Sequence, residues 1–483
     1  MQNRMPLVEA MLKYKNEKVY PFHTPGHKGG RGMEALLKNE LGAGAVAMDV
    51  SLMSELDDIH APSSYIMEAQ DLAAQLYGSD RCFFAVNGTT GAIHAMLTAA
   101  CKAGDKILVP RNAHRSVAGA LLLANLEPVF AMPEYDAVFG INTQITPQAV
   151  EAMFASHADI KAVLVTSPNY YGQAADLKAI AQIAHAHNAA LLVDEAHGPH
   201  LGFSSKLPPS ALQCGADACA QSTHKILGAM TQCSLLHVKG GRINLTRAAE
   251  AVSLLTTTSP NYLLMASIDA ARYTLAVQGE KLIERALAAA EKLRSCLSKF
   301  AGLKLLDTGC TGKNGITGFD CTKVTVNTAA WGYSGTETGD ALRKAGIAVE
   351  LTDAQNVLFL VTFADGGAEY NAVLEKISSV FAGLEQHKRA PLKEQNCWKL
   401  PEFVTAVPLR SAFDAETESL PLQEAEGRIC AEQVSFYPPG IPVLWPGELV
   451  TAAVIDYCLR MKKLGLPVSG PADYTLTELR VIK

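Results

Sequence analysis

From residue 61 to residue 238 the chain alternates short apolar segments with segments that have the apolar spacing of an amphipathic helix. The apolar segments predict strands at Cys82–Val86, Lys106–Pro110, Glu127–Phe130, Ala162–Thr166, Ala190–Asp194, Ala218–Gln221 and Ser234–Val238. The other segments predict helices at Ser64–Tyr77, Ala92–Cys101, Ser116–Leu123 and Asp176–His187, and Thr146-Pro147 marks the start of another. Strands that alternate with helices pair in parallel through right-handed crossovers. The pattern therefore predicts an α/β sheet with helices on both faces.

The pattern changes after residue 265. Ala266–Phe300 is rich in alanine and predicts one long or broken helix. A smaller α/β unit follows, with predicted strands Lys323–Val326, Ala348–Leu351 and Val357–Thr362 and a predicted helix Glu337–Ala345. The polar segment Glu385–Asn396 predicts a linker. We therefore divide the chain into an N-terminal segment (1–60), a large domain (61–275), a small domain (276–390) and a C-terminal domain (391–483).

The composition excludes several classes of protein. The 483 residues are 48% hydrophobic, which is too apolar for a disordered chain, and no apolar run approaches the roughly 18 residues of a membrane helix. Charged residues interrupt the N-terminal segment, so we expect no signal peptide. The eleven cysteines include no CxxC pair, which favours reduced thiols in a cytoplasmic protein. The net charge of −6 and the scattered Lys and Arg residues give no indication of a nucleic-acid partner.

Polar clusters follow several predicted strands, at the edge where α/β sheets bind their ligands. Asn87–Gly91 follows the first strand and precedes a helix, so its glycines, threonines and free N–H groups suit a phosphate. A plain helix cap is the alternative for this segment. His114 follows the second strand within Arg111–Ser116 and could lie on a planar ligand, although a solvated or capping histidine is the commoner case.

Asp194 ends a buried apolar strand, where a carboxylate is costly without a partner. Three interpretations stay open: a metal site with His197 and His200, a charge partner for a protonated ring nitrogen of a cofactor, and a structural cap. Lys225 follows the strand Ala218–Gln221, about 30 residues after Asp194, and has hydroxyls and a histidine beside it, as an imine-forming lysine does. A strand-end acid, such a lysine and a Gly/Thr-rich helix start are the parts that bind pyridoxal 5′-phosphate (PLP).

The motifs at these positions resemble those of the Orn/Lys/Arg decarboxylase family, the bacterial-type basic amino-acid decarboxylases with the aspartate-aminotransferase fold. The similar stretches are HTPGHKGG (His23–Gly30), LDDIHAP (Leu56–Pro62), NGTTGA (Asn87–Ala92), RNAHRS (Arg111–Ser116), SPNYYG (Ser167–Gly172), DEAHGPHLGF (Asp194–Phe203), STHK (Ser222–Lys225), TTSPNYLLMASID (Thr257–Asp269) and YPPGIPVLWPGE (Tyr437–Glu448). The resemblance implies a PLP-dependent enzyme of fold type I. Its α/β architecture has a large domain on a mostly parallel sheet, a small α/β domain and a C-terminal α+β domain.

The resemblance also implies roles for single residues. Lys225 corresponds to the Schiff-base lysine, and Asp194 to the partner of the pyridine nitrogen. His114 corresponds to the histidine that stacks on the ring, and His197 to a residue near the ring hydroxyl. Glu350 corresponds to an acid that binds the distal cationic group of the substrate, and an ordinary exposed strand-end Glu is its other interpretation. The phosphate-side residues are Thr89, Thr90, Ser222 and His224, joined by Thr258 and Ser259, which in this family reach the phosphate of the neighbouring subunit.

The implied reaction is PLP-dependent decarboxylation of a basic L-amino acid, and the implied catalytic residues are Lys225, His224 and His114. Lys225 or His224 returns a proton to the α-carbon. We expect no metal. Two other classes of function stay open: another PLP reaction such as transamination, and a catalytically silent regulator of polyamine metabolism.

The start of the chain also carries an expectation about assembly. Large family members have an N-terminal wing domain, whereas here the HTPGHK motif begins at His23. We therefore expect a homodimer or a tetramer rather than a decamer, with residues 1–60 at the dimer interface. The wing-less form resembles the short bacterial arginine decarboxylases, so arginine is the favoured substrate, with lysine and ornithine as alternatives. We expect a cytoplasmic lyase of polyamine biosynthesis that has no membrane or nucleic-acid partner.

Overall fold

The computed structural model describes residues 2–392, 399–436 and 440–483. The described residues form two compact units. The first unit takes its residues from Met1–Ala100, Ala190–Ser205 and Pro209–Leu282, and the second from Cys101–Ala189, Lys206–Pro208 and Ile283–Lys483. In the described ranges, no helix combines the length and the apolar character that crossing a membrane requires.

The chain begins in the first unit with helices α1 to α5 and strand β1. These elements are α1 (Pro6–Glu17), α2 (Ala35–Leu41), α3 (Ala43–Met48), α4 (Tyr65–Tyr77), β1 (Arg81–Ala85) and α5 (Gly88–Ala100). The predicted helix Ser64–Tyr77 and strand Cys82–Val86 are confirmed within one residue at each end. The predicted helix Ala92–Cys101 is wrong at its start, because α5 already begins at Gly88. The N–H of Gly91 donates to the carbonyl of Asn87 at 3.1 Å and closes the first helical turn within this segment.

Residues 101–189 belong to the second unit and continue the alternation. The elements are β2 (Lys106–Pro110), α6 (Arg115–Ala124), β3 (Glu127–Ala131), β4 (Tyr135–Asp136), β5 (Ile141–Asn142), α7 (Pro147–Ser156), β6 (Ile160–Thr166), β7 (Gln173–Ala175) and α8 (Leu177–Ala186). Parallel pairing is confirmed here, since β2 is parallel to both β3 and β6. The predicted helix start at Thr146-Pro147 is confirmed as well. The Thr146 side chain accepts the N–H of Ala149, and Asp176 caps α8 in the same way through Ala179.

The next segment returns to the first unit. It contains β8 (Ala190–Asp194), β9 (Ala218–Gln221), α9 (Thr223–Ile226), β10 (Ser234–Val238), α10 (Leu245–Leu254) and the start of the continuous helix α11 (Tyr262–Leu297). In this unit the strand order is β1-β10-β9-β8. β8 and β9 are parallel, but β10 is antiparallel to β9 and to β1, so the prediction of parallel pairing is wrong for β10. The reason is that α9, at about 6 Å, is too short to carry the chain back along the sheet.

The rest of the chain lies in the second unit. Its elements are β11 (Lys304–Leu305), β12 (Ile316–Phe319), β13 (Lys323–Asn327), α12 (Gly335–Lys344), β14 (Leu351–Thr352), β15 (Asn356–Leu360), α13 (Tyr370–Gln386), α14 (Leu409–Asp414), β16 (Thr417–Pro421), β17 (Val434–Phe436), β18 (Ile441–Leu444), α15 (Ala452–Lys463), β19 (Val468–Ser469) and β20 (Glu478–Ile482). Strands β11-β13-β15-β14 form an antiparallel sheet. The predicted strand Ala348–Leu351 is wrong in its position, because the residues that pair with β15 at this edge are Leu351 and Thr352, which form β14. Residues 393–396 of the predicted linker and Tyr437–Pro439 of the YPPGIP motif lie outside the described residues.

The core that supports the first unit's sheet lies between α1, α4, α11 and β1. Leu7, Ile66, Phe84 and Ile268 are buried together there, one from each of these elements. Because β1 is fixed by this packing, the start of α5 that follows it is held in a defined place.

Candidate active site

Two parallel strands of the first unit end at the same edge and carry two of the predicted clusters. Asp194 is the last residue of β8 and lies opposite Ala220 of β9 in the parallel register. β9 ends at Gln221, and the chain then turns through Ser222 into α9, which contains Lys225. The sequence rule that ligand-binding residues follow parallel strands therefore places this acid and this lysine at one edge of the sheet.

Asp194 is a buried acid with a cation nearby. Only 3% of its surface is exposed, and its Oδ1 accepts the N–H of Ala196 at 3.2 Å. Burial raises the pKa of Asp194, and the charge of Lys225 acts in the opposite direction. Contact with a positive charge stabilises the ionised form of a carboxylate in this environment, and a protonated ring nitrogen would supply such a charge.

The amine of Lys225 lies against the ring of His197. Its Nζ is 3.0 Å from His197 Nε2. A protonated amine can only donate in this contact; Nε2 then accepts the hydrogen bond, and a neutral His197 carries its own hydrogen on Nδ1. The structure thus brings together Asp194, His197 and Lys225, three residues that the sequence predicted to act on one cofactor.

His224 lies on the same turn as Lys225 and has a defined tautomer. Its Nδ1 is 2.9 Å from the carbonyl oxygen of Cys233 and 3.0 Å from Ser222 Oγ. A carbonyl oxygen only accepts hydrogen bonds, so Nδ1 carries a hydrogen, and Nε2 is the atom that can accept or hand over a second proton.

The predicted phosphate segment forms the first turn of α5. The N–H of Gly88 donates to the carbonyl of Gln232 at 2.9 Å, whereas the next N–H groups of a helix have no acceptor within it. Thr90 is exposed, but Thr89 is buried with its Oγ1 3.0 Å from Ser234 Oγ. Ser234 donates to the carbonyl of Gln221 at 2.6 Å, so the Thr89 hydroxyl donates to Ser234. Thr89 can therefore offer a phosphate its N–H, and Thr90 both its N–H and its hydroxyl.

Thr258 and Ser259 are exposed in the segment between α10 and α11. The N–H of Ser259 donates to Thr257 Oγ1 at 3.2 Å. His60 of the LDDIHAP motif anchors this segment, since its Nε2 is 3.1 Å from the carbonyl of Thr257 and its Nδ1 is 2.8 Å from Ser253 Oγ. The role of Thr258 and Ser259 toward the phosphate of a neighbouring subunit stays a prediction.

His114 and Glu350 belong to the second unit. His114 is the N-cap of α6, and its Nδ1 accepts the N–H of Ser116 at 3.2 Å, which leaves the hydrogen of the neutral ring on Nε2. His114 therefore caps α6, as one of its two interpretations from the sequence predicted. Glu350 is exposed just before β14, and it lines a surface depression with Asp340 and Arg343 of α12. The predicted roles of both residues toward cofactor and substrate stay predictions.

The structure gives no support to the metal interpretation of Asp194, His197 and His200. Across residues 2–392, 399–436 and 440–483, no three His, Cys, Asp or Glu side chains converge as metal ligands do.

Sequence reasoning missed two buried charged residues next to the predicted ones. Glu195 follows Asp194 and is completely buried, and burial raises the pKa of Glu195 to about 7. Arg111, in the RNAHRS motif, is buried and donates to Glu448 at 2.9 Å. The signal for both was present, because each is a charged residue directly at the end of an apolar strand, where burial demands a partner.

Comparison with known proteins fits this geometry. Residues 5–325 match the family model described as "Orn/Lys/Arg decarboxylase, major domain", and residues 400–470 match "Orn/Lys/Arg decarboxylase, C-terminal domain". The chain is 42% identical to an arginine decarboxylase of Bacillus anthracis and 40% identical to one of Bacillus subtilis, and each alignment covers 100% of this chain and 98% of the relative. It is 25% identical to the inducible lysine decarboxylase of Escherichia coli over 96% of this chain and 78% of that protein.

Solved structures show the same fold. The lysine decarboxylase LdcF of Francisella novicida superposes with a TM-score of 0.86 at 24% identity, covering 100% of this chain and 81% of that one. A NifS-like protein superposes with a TM-score of 0.53 at 15% identity, covering 78% and 95%. The prediction of an α/β protein with the fold-type-I architecture is confirmed. With its two family models matched in order and relatives at 40–42% identity along its whole length, the chain belongs to the Orn/Lys/Arg decarboxylase family.

Proposed function

We propose that this protein is a PLP-dependent carboxy-lyase that converts arginine to agmatine. The observation that carries the proposal is the contact between Lys225 Nζ and His197 Nε2 at 3.0 Å, within electrostatic reach of the buried Asp194. The substrate is chosen because the relatives at 40–42% identity are named arginine decarboxylases.

The donor set of the first unit fits PLP. The N–H groups at the start of α5 and the hydroxyl of Thr90 suit a phosphate, and the buried carboxylate of Asp194 suits a ring nitrogen that carries a proton. We assign Thr89, Ser222 and His224 to the phosphate side as well, and His197 to the ring hydroxyl. Thr258 and Ser259 are assigned to the phosphate of the neighbouring subunit, and His114 to the face of the ring.

When bound, PLP supplies an electrophilic carbon for amines and a ring that takes up the electron pair left when a carboxylate departs. Lys225 would react with that carbon only as a neutral amine, and His197 Nε2, 3.0 Å from Nζ, would be placed to hold the proton that Nζ gives up. Asp194 keeps a proton on the ring nitrogen because a charge pair in this buried site is stronger than in water.

The substrate loses CO2 when the bond between its α-carbon and its carboxylate carbon breaks, and the α-carbon then takes up a proton. Lys225 Nζ or Nε2 of His224 delivers that proton, since both lie on the turn after β9. Glu350 receives the distal cation of the substrate, and a guanidinium pairs with a carboxylate through two parallel hydrogen bonds where an ammonium makes a point contact.

Lysine is the second candidate substrate, because the relatives at 25% identity are named lysine decarboxylases. Ornithine, named in the family description, is the third. We also propose that the protein is a cytoplasmic homodimer that supplies polyamine synthesis. Exposed apolar side chains on the N-terminal segment support an interface there, since Tyr20 is 65% and Phe22 is 92% exposed.

Purified protein loaded with PLP is expected to release CO2 and agmatine from arginine without an added keto acid, with a kcat/KM above those for lysine and ornithine. Lys225→Ala is expected to abolish turnover. It is also expected to abolish the visible absorbance of PLP attached to the Lys225 side chain. A requirement for a keto acid would indicate an aminotransferase, and failure to bind PLP would indicate the silent regulator. A higher kcat/KM for lysine would replace arginine with the second candidate.

A further inference from the structure

Glu195 follows Asp194 in the chain, but its carboxylate contacts a different set of groups. It is completely buried, and it accepts the N–H of Ala211 at 2.7 Å through Oε1 and the side-chain amide of Gln221 at 2.7 Å through Oε2. Its own N–H donates to the carbonyl of Ala220 at 3.0 Å. Glu195 therefore joins the end of β8 to the end of β9 through both its backbone and its side chain.

Gln221 extends this connection to the other half of the site. It is the last residue of β9 and immediately precedes the turn that carries Lys225. Its carbonyl accepts the hydroxyl of Ser234 at 2.6 Å, and Ser234 Oγ is 3.0 Å from Thr89 Oγ1 at the start of α5. A chain of buried hydrogen bonds thus runs from Glu195 through Gln221 and Ser234 to Thr89.

We propose that Glu195 is a positioning residue: by holding the side chain of Gln221, it fixes the Lys225 turn and the start of α5 relative to Asp194, and so determines the affinity for the cofactor. The inference rests on the proposed function, because it concerns the same site. Glu195 itself contacts neither Lys225 nor Asp194 through its carboxylate in the described hydrogen bonds, so its effect passes through the groups that it orients.

Removing this carboxylate leaves the Ala211 N–H, the Gln221 amide and the Cys219 thiol, all buried, without their acceptor. Glu195→Ala and Gln221→Ala are each expected to raise the PLP dissociation constant by about 10- to 100-fold, the range for groups that orient a ligand-binding residue. Because both variants break the same link, the double variant is expected to be no worse than the weaker-binding single variant.

Glu195→Gln is the conservative counterpart. Its amide oxygen still accepts the Ala211 N–H, and its amide nitrogen can donate to Gln221 Oε1, an atom with no hydrogen-bond partner among the described residues, once the Gln221 amide turns over. The Gln variant is therefore expected to bind PLP within about threefold of the wild type, since it keeps the link and loses only the charge.

Asp217 offers a matched control, because it is a buried acid that joins the same two strands at their other end. It directly precedes β9 and accepts the N–H of Leu191, near the start of β8, at 2.8 Å. Asp217→Ala is expected to lower the thermal midpoint and to leave the PLP dissociation constant within about threefold of the wild type, because its contact lies at the opposite ends of the strands.

The experiment titrates PLP into the full-length apoprotein, follows the visible absorbance of bound cofactor, and records the thermal midpoint of each variant. The proposal is overturned if Glu195→Ala and Gln221→Ala bind PLP like the wild type and lose only thermal stability, as the control does. If Glu195→Ala does not fold, Gln221→Ala decides alone, and wild-type affinity in that variant overturns the proposal. A wild-type protein that binds no PLP would instead overturn the proposed function.

Discussion

Asp194 and Glu195 are neighbouring acids at the end of one strand, and their surroundings separate their roles. Asp194 is next to a cation that opposes the effect of burial on its pKa, whereas Glu195 is held by hydrogen bonds from Gln221 and Ala211. The sequence identified Asp194 because an acid that ends an apolar strand needs a partner. The same rule applies to Glu195, but it does not identify the partners of Glu195, because they lie 16 and 26 residues away in the chain and no spacing rule joins them.

His237 provides a pH-dependence prediction at the scale of one residue. Its ring is buried in β10, 4.6 Å from the ring of Tyr77, with Nδ1 3.0 Å from Ser79 Oγ. Burial lowers the pKa of His237 to about 3, whereas the unfolded chain keeps an ordinary imidazole. Between these values the unfolded state binds a proton that the native state does not bind. Stability is therefore lost as the pH falls below about 6.5.

His237→Phe keeps a ring beside Tyr77 and removes the titrating nitrogen. The wild type is expected to lose about 3 kcal/mol more unfolding free energy than this variant between pH 7 and pH 4. Urea unfolding at both pH values measures the difference. Ser79→Ala, which keeps the imidazole, should follow the wild type, and equal pH slopes for the wild type and His237→Phe would contradict the assignment of this loss to His237.

At the scale of elements, apolar periodicity located most helices and strands. It failed where a glycine turn or the length of a connection, rather than the apolar pattern, determines where an element begins or how a strand pairs. Ala190–Asp194 and Lys106–Pro110 were predicted without error. The start of α5 was missed because glycine and threonine read as a loop, although Gly88 is the residue that lets the chain turn directly from strand to helix. The antiparallel β10 was missed because alternation alone does not reveal how short α9 is.

Gly88 allows a direct test of that turn. Its φ is +68°, and a Cβ added there would meet no atom within 4 Å, so Gly88→Ala introduces backbone strain without a clash. We expect a loss of roughly 1–2 kcal/mol in unfolding free energy. Gly383 in α13 also has open space around it but an ordinary helical φ, so Gly383→Ala is expected to gain roughly 0.5–1 kcal/mol. If Gly88→Ala also gained stability in urea unfolding, the positive φ of Gly88 would not impose the expected backbone strain on an alanine.

At the scale of the whole molecule, the order of the motifs predicted the family, while the contacts between distant motifs could not be read from the sequence. The RNAHRS motif and the WPGE segment both contribute to the family resemblance. The sequence does not indicate, however, that Arg111 and Glu448, 337 residues apart, form a buried ion pair. Which strand end meets which C-terminal segment depends on three-dimensional packing, and it has no local signature. The division into segments 1–60, 61–275, 276–390 and 391–483 stays a prediction.

Breaking the buried Arg111–Glu448 pair from one side is expected to destabilise the second unit. The guanidinium also donates to the carbonyls of Pro442 at 2.7 Å and Val443 at 3.1 Å, and Glu448 accepts the N–H of Trp445 at 2.9 Å. Burial raises the pKa of Glu448 and the charge of Arg111 opposes it, so Arg111→Met leaves an uncompensated buried acid and should cost about 3–5 kcal/mol in urea unfolding. Arg111→Met/Glu448→Gln removes both charges, keeps an oxygen for Trp445, and is expected to recover part of that loss. Equal losses in the single and double variants would mean that packing around Arg111, and not its charge, holds these segments together.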